Sequence, residues 1–435
     1  MVRFKDKYYT HFDIKKKAIK YINKIKEPSW VARHAFYPFI HYKIVFNKYV
    51  FNSETQTKEK KNKERDIYYS AHIDRFIYQY YAELINMRYN QTAKQLGINN
   101  VATAYRNNKK GKCNIHFAKE ALEFICKCEQ AWIFIGDFSG FFDNLDASYL
   151  KSKLQQVLRV DKLPEDQYAV FKSITRYTYV ERDDISLVKG KKLNEMRRDS
   201  KYFETAEFQE FKKKYLKKHD KTYGIPQGSS ISSVYANVYM LDFDKMINNY
   251  VTSKKGMYRR YCDDIIIIIP ANDADIENKV YEVCLEYLEN IRNSIPRLFL
   301  NLDKTEQYYY NQSKEKRLVD LKGKKDILNY LGFSFDGKYV RLREKSLFKY
   351  YSRAYRKVKT AKKFKGKKEE FAVKKGLYRL YTHLGDKRHK GEYGNFITYA
   401  RRAEEIFSGS PYFESKIYSQ VKRHWNKIQK RLKSD

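Results

Sequence analysis

The sequence predicts an α+β fold in which short apolar strands end in acidic residues and amphipathic helices cover a sheet. Three observations carry this. The five isoleucines Ile265 to Ile269, stopped by Pro270, form a β-branched run of the length and type that fills a strand covered on both faces, and proline cannot continue its ladder. Trp132 to Ile135 form a second apolar strand, with Asp137 at its exit. Apolar residues at helical spacing mark Ala147 to Leu158 (Leu150, Leu154, Val157, Leu158) and Asp275 to Asn293 (Ile276, Val280, Val283, Cys284, Tyr287, Leu288, Ile291), as in helices laid on a sheet.

With 435 residues and 42% apolar side chains, the chain can bury a sizeable core in two or three domains. Its 89 Lys and Arg against 52 Asp and Glu leave a net charge of +37, the footprint of a polyanion binder, because each phosphate neutralised releases counterions. Nucleic acid is the expected partner. An anionic membrane is the alternative, but no stretch approaches the roughly 20 apolar residues that span a bilayer. The start, Met1-Val-Arg-Phe-Lys-Asp6, lacks the apolar core of a signal peptide, so a cytoplasmic location is expected. The five cysteines are odd in number and scattered, and Cys126-Lys-Cys128 has no second pair at zinc spacing, so they read as reduced thiols. The 41 tyrosines beside many lysines suit base stacking and phosphate contact, although most such rings belong to cores and helix faces.

Taken in order, residues 1–30 read as a basic amphipathic helix (Ile14, Ala18, Tyr21, Ile22, Ile25). Tyr42, Ile44, Phe46 and Tyr49 alternate as in a strand. Residues 51–64 read as a polar, charge-rich turn between two strand-like runs. Asp74 is expected to cap a helix running to about Asn86, a further helix covers Ala118 to Phe124, and Asp146 caps Ala147 to Leu158. Residues 180–222 form an unusually charged insertion, either a basic flap or a solvated excursion. Gly224-Ile-Pro-Gln-Gly228 is a turn that opens a helix through Asn237, where backbone can approach a ligand closely and amides point outward. Tyr258 to Pro270 reads as one strand with Asp263 and Asp264 at its mouth. Two adjacent carboxylates cannot both be buried and ionised without a cation, so they belong on a solvated turn or beside a divalent metal. Strands ending at Asp137 and Asp263 could bring both to one point, where two Mg²⁺ ions about 3.5 to 4 Å apart would activate a 3′-hydroxyl and stabilise a leaving pyrophosphate.

Taken together, these segments resemble the reverse transcriptases. Asp137 with Phe142 and Asp143 matches the first palm motif of that family, Gly224 to Asn237 the second and Tyr261 to Asp264 the third, in the family's order. Leu300 to Thr305 resembles the fourth, and Tyr330-Leu331-Gly332-Phe333 the fifth, the primer grip. Arg65, nine residues before the pair Asp74-Arg75, resembles the arginine of the family's fingers, although the Pro and Gly that usually follow it are missing; Ser233 likewise stands where the family often has proline.

The resemblance covers roughly residues 34–350 and implies a right-hand polymerase: N-terminal extension and fingers in 1–130, an antiparallel palm sheet backed by helices in 131–340, and a basic helical thumb in 341–435. It implies RNA-directed DNA synthesis with two Mg²⁺ ions, or Mn²⁺, held by Asp137, Asp263 and Asp264. Arg65 with Lys58 or Lys63 would hold the triphosphate, Gln227 and Gly228 would line the nucleotide pocket, and Lys304 would protonate pyrophosphate. Phe142 would pack beneath the sugar and exclude a 2′-hydroxyl. The implied partners are an RNA template, a DNA product and dNTPs, with a dedicated non-coding RNA and self-association left open and no membrane. The nearest group is the bacterial defence-associated and abortive-infection enzymes. An RNA-dependent RNA polymerase and a non-catalytic nucleic-acid-binding relic are the rival readings, and the tyrosine excess leaves room for a protein hydroxyl as primer.

Overall fold

The computed structural model describes residues 4, 6–15, 17–52, 57–385 and 394–434. Within them the chain forms a mixed α/β fold with thirteen strands: β1 Phe39–Asn52, β2 Thr57–Tyr69, β3 Gln130–Asp137, β4 Thr178–Glu181, β5 Lys217–Lys218, β6 Met257–Tyr261, β7 Asp264–Pro270, β8 Glu306–Asn311, β9 Leu318–Asp320, β10 Leu328–Tyr330, β11 Phe333–Phe335, β12 Tyr339–Leu342 and β13 Glu414–Ser415. Two compact units divide it, each assembled from separate stretches: 1–108, 138–247 and 288–301 in the first, 109–137, 248–287 and 302–435 in the second. Among the described residues no helix is long and apolar enough to cross a membrane.

The first unit contains a sheet in the order β2-β1-β4-β5. Its β1–β2 hairpin is longer than the sequence suggests: of residues 51–64, expected as a polar turn, 51 and 52 end β1 and 57–64 continue β2, while 53–56 lie outside the described residues. The expected helix over residues 1–30 is instead three short pieces, Ala18–Lys20, Ile22–Lys26 and Pro28–Ala32. Glu27 is extended before Pro28, which opens its own turn.

The helix expected to start at Asp74 starts at His72 and runs to Gln95. Asp74 lies inside its first turn, buried, where its carboxylate accepts from His34 Nε2 at 2.7 Å and the Tyr37 amide at 2.9 Å, so it ties the preceding segment down rather than capping the helix. Asp146 does cap Ala147–Leu158, accepting from the Tyr149 amide at 2.8 Å. The charged insertion at 180–222 is not a solvated excursion. It contains the helices Arg182–Lys189 and Thr205–Tyr215, and its Phe203, Phe208 and Phe211 pack with Phe12 and Ile40 in a core of their own.

The second unit is built on a sheet in the order β6-β7-β3-β8-β9, antiparallel throughout. Ile265 to Ile268 are wholly buried at its centre, as their β-branched run demands. Asn114–Lys127, longer than the expected helix, packs its apolar face on this sheet. The stretch expected as one helix from Asp275 is two, Asp273–Glu277 and Tyr281–Ser294, broken at Lys279, whose φ is +53°. A second sheet, β10-β11-β12-β13, shares its core with Glu344–Lys363, Phe396–Ser408 and Ile417–Val421, while Glu370–Tyr381 and His424–Lys433 pack Leu377 and Ile428 with Ala354 and Val358 in a core of their own.

Candidate active site

The segment expected as a single strand from Tyr258 to Pro270 is a hairpin. β6 and β7 pair through Tyr261 and Asp264, and Cys262, held at φ +63°, turns the chain between them. Asp263 occupies this turn and Asp264 opens β7. The solvated turn and the gathered carboxylates, alternatives in the sequence, are one feature. On the other side of β7 lies β3, with Asp137 as the register partner of Asp264.

Three carboxyl groups thus meet at one sheet edge. Asp137 is buried at 7% exposure and shares a hydrogen bond with Asp263. Burial, then the negative charge of Asp137, raises Asp263 above the usual carboxylate range. Burial also raises Asp264, to about 7, with Asp263 and Asp137 pushing the same way; Lys304 and Arg343 oppose them. The Asp264 side chain still keeps an open surface, so crowding by its neighbours matters as much as depth. The Lys304 ammonium, at the end of the 3-10 turn Leu302–Lys304, donates to Asp137 Oδ2.

This donor set fits a divalent cation. Carboxyls crowded at one sheet edge repel one another, and Mg²⁺ needs only one or two protein carboxylates when waters and substrate phosphates complete its shell. Among the described residues no three His, Cys, Asp or Glu side chains close on one point as a ready-made cage.

The segment expected as a primer grip, Tyr330 to Phe333, forms the β10–β11 hairpin. Leu331 at φ +47° and Gly332 at φ +94° make its two-residue turn, a geometry that favours glycine at the second position. The turn is tethered twice: Leu331 O accepts from Asn114 Nδ2 at 3.0 Å and Gly332 O from the Arg343 amide at 3.0 Å. Tyr330 and Phe333 are buried core residues, so only the turn between them is offered outward.

The first unit carries the other expected residues. Gly228 has φ +121°, and a Cβ there would meet Tyr68 O at 2.6 Å; Gly224, at φ +93°, would meet Asp143 O at 2.9 Å. Both positions therefore require glycine. The loop between them is stitched on two sides: the Tyr68 amide donates to Gln227 O at 3.1 Å and the Ile225 amide to Phe142 O at 2.9 Å. Gln227 Nε2 donates to Asp143 Oδ1 at 3.4 Å.

Burial raises the Asp143 carboxyl. Gln227, Lys221 and Arg65 draw it down while Asp66 pushes it up, which gathers an exposed Arg65 and a half-buried Phe142 into the same neighbourhood as this loop. The Phe142 ring meets Phe141 edge-on at 5.6 Å. Lys58 and Lys63 lie on β2, and their side chains fall outside the described residues.

Sequence reasoning missed Arg343, Lys221 and the pairing of Asp143 with Gln227. Arg343 follows the alternating strand Tyr339–Leu342, and nothing local marks it as a neighbour of an aspartate nearly eighty residues earlier.

Residues 85–335 match the family model described as "Reverse transcriptase (RNA-dependent DNA polymerase)". The chain belongs to that family, and the domain it carries is that of a nucleotidyltransferase, an RNA-directed DNA polymerase. Such enzymes generally use divalent metal ions, usually Mg²⁺. No curated protein matches the sequence.

Solved structures similar to the chain include apo telomerase from Candida tropicalis truncated of its C-terminal domain (10% identity, 68% of this chain and 55% of that one, TM-score 0.40) and apo telomerase from the same organism (10%, 89% and 64%, TM-score 0.39). A third is telomerase from Candida albicans in complex with the TWJ fragment of telomeric RNA (12%, 98% and 67%, TM-score 0.36). The chain spans 55% and 64% of the length of the first two.

Proposed function

We propose that the chain is a right-hand polymerase that copies RNA into DNA by metal-assisted nucleotidyl transfer, with fingers in 1–130, a palm in 131–340 and a helical thumb in 341–435. The observation that carries this reading is the register pairing of Asp137 with Asp264, with Asp263 on the adjoining turn and the Asp263 and Asp264 carboxyls both raised by burial and by crowding of their charges. These aspartates would hold two divalent ions, Mg²⁺ or Mn²⁺, which when bound supply positive charge to the attacking 3′-hydroxyl and the departing pyrophosphate. Lys304, poised at Asp137, gives a proton to pyrophosphate as general acid. Arg65, with Lys58 or Lys63, grips the triphosphate through a charged fork. Gln227 and Gly228 line the nucleotide, Phe142 lies beneath its sugar, and the Leu331-Gly332 turn between Tyr330 and Phe333 steadies the primer.

The partners in this reading are an RNA template, a DNA product and dNTPs, with a dedicated non-coding RNA and self-association as further elements. In this reading the enzyme belongs with the bacterial defence-associated and abortive-infection group and serves antiviral defence.

The test is dNTP incorporation on an RNA template primed with DNA. Wild type extends the primer, and Asp263→Ala with Asp264→Ala removes extension by on the order of 10³-fold or more, since several kcal/mol of charge stabilisation are lost. Unchanged incorporation by the double variant overturns the assignment, and preference for rNTP over dNTP converts it to an RNA polymerase.

A further inference from the structure

The two arginines just ahead of the aspartates, Arg259 and Arg260, have no part in the reading above. They are neighbours on β6 and therefore point to opposite faces of the sheet. Arg259 Nε and Nη2 donate to Glu120 Oε1 at 3.1 and 2.6 Å, which fastens β6 to the helix Asn114–Lys127. Arg260 is wholly buried, opposite Ile265 in the ladder, and its Nη1 donates to Cys262 O at 2.9 Å.

That carbonyl belongs to the two-residue turn that carries Asp263. Cys262, at φ +63°, occupies the first position of the turn, where a glycine would be at ease and a residue with a Cβ is not. Its own preference therefore does not hold the turn in shape, and a donor from outside is needed. The Cys262 carbonyl and the Asp263 amide lie in one rigid peptide plane, so fixing the oxygen fixes the plane from which Asp263 projects.

A guanidinium suits this task, because it is planar, stays charged when buried and presents its donors in a fixed fork. Keeping that charge out of water is costly. An apolar side chain of similar length would fill the space without the cost, but it would bring no donor to Cys262 O. The cations that draw the Asp264 carboxyl down are Lys304 and Arg343, so they act on charge while Arg260 acts on backbone.

We propose that Arg260 is a positioning residue that holds the Cys262–Asp263 peptide so that the Asp263 and Asp264 carboxylates are pre-set for a divalent cation. This rests on the reading of those aspartates as the metal's ligands. Mg²⁺ demands nearly ideal octahedral geometry, so a turn free to rock loses the ion before the sheet loses its fold.

The experiment is Mn²⁺ binding to the full chain without nucleotide or primer, followed by the electron paramagnetic resonance signal of free Mn²⁺ well below the melting temperature. Wild type is compared with Arg260→Met, Arg260→Lys and Asp263→Ala/Asp264→Ala. Arg260→Met should weaken Mn²⁺ binding by about fivefold or more, as part of the worth of a charge-assisted hydrogen bond reaches the site, and Arg260→Lys, which keeps a charge and a donor, by about twofold to threefold. In primer extension the half-saturating Mg²⁺ concentration of Arg260→Met should rise by a similar factor while the KM for dNTP at saturating Mg²⁺ stays within about twofold, whereas general disruption of the fold would raise both. If Asp263→Ala/Asp264→Ala binds Mn²⁺ as wild type does, the aspartate reading falls and this proposal with it. If that variant loses the ion and Arg260→Met keeps it, even with a lowered melting temperature, the proposal alone is overturned. Should Arg260→Met fail to fold, Arg260→Lys decides: the smaller loss supports the proposal and no loss overturns it.

Discussion

Asp137 and Asp264 stand directly opposite one another across β3 and β7, so two carboxyls brought from residues 127 positions apart (264 − 137) are fixed by backbone pairing rather than by flexible loops. Their mutual repulsion is part of the unliganded ground state, and relief of it by a cation is the basis of the first expectation.

Asp264 titrates near 7 and Asp263 is also raised, so the folded protein binds more protons than the unfolded chain from about pH 4 to pH 7. Without divalent metal, this contribution to stability is present at low pH and lost as pH rises through about 7. Mg²⁺ binds the deprotonated carboxylates, so its stabilising shift in melting temperature should be larger at pH 8 than at pH 6. Thermal melts with Mg²⁺ or EDTA at both pH values measure this. A shift independent of pH would remove the aspartates as its source.

Arg65→Ala should raise the KM for dNTP and lower kcat/KM by about tenfold to a hundredfold, the worth of a charge-assisted hydrogen-bonded contact of roughly 1.5 to 3 kcal/mol. Steady-state kinetics over a dNTP series decide it. An unchanged KM with weakened template affinity would assign Arg65 to the nucleic-acid track instead.

If Phe142 packs beneath the sugar as proposed, Phe142→Ala should admit rNTP while keeping much of the dNTP activity, because such a ring leaves no room for an added oxygen, at a cost of about 1 to 3 kcal/mol. Single-turnover incorporation of matched dNTP and rNTP gives the ratio before and after substitution. An identical ratio in both proteins would place sugar discrimination elsewhere.

Gly228→Ala should destabilise the first unit by roughly 1 to 3 kcal/mol, since the new methyl would strike Tyr68 O from a backbone conformation that L-residues rarely adopt. Urea unfolding reads the loss, and dNTP affinity should fall with it because the loop carries Gln227. Unchanged values for both would mean that the loop re-forms without this glycine.

The gathering of the carboxylates was legible because its signals are local. A β-branched run ended by proline and an apolar run ended by Asp137 each specify a strand and its exit, and pairing then brings the exits together. Illegible features depend on partners distant in sequence. Phe203, Phe208 and Phe211 look like part of a charged surface stretch until Phe12, nearly two hundred residues earlier, is seen against them. The turn at Cys262 requires a positive φ in a residue other than glycine, which composition does not announce. Asp74 resembles a cap because acidic residues favour the first turn as well as the cap position, and the two differ by a shift of three residues.

One histidine in the β2-β1-β4-β5 sheet has a consequence for how this protein could be altered. His41 on β1 reaches Asp66 on β2 at 2.8 Å through one ring nitrogen and Glu181 on β4 at 2.6 Å through the other. Three strands are thereby bolted at a single imidazole whose partner Asp66 adjoins Arg65, and a one-residue slip would turn that arginine to the opposite face. Beyond His41 the two strands continue in register to Asn52 and Thr57. Facing pairs such as Asn47 and Asn62 could be deleted or duplicated together, making the length of the hairpin an adjustable dimension and its base a fixed one.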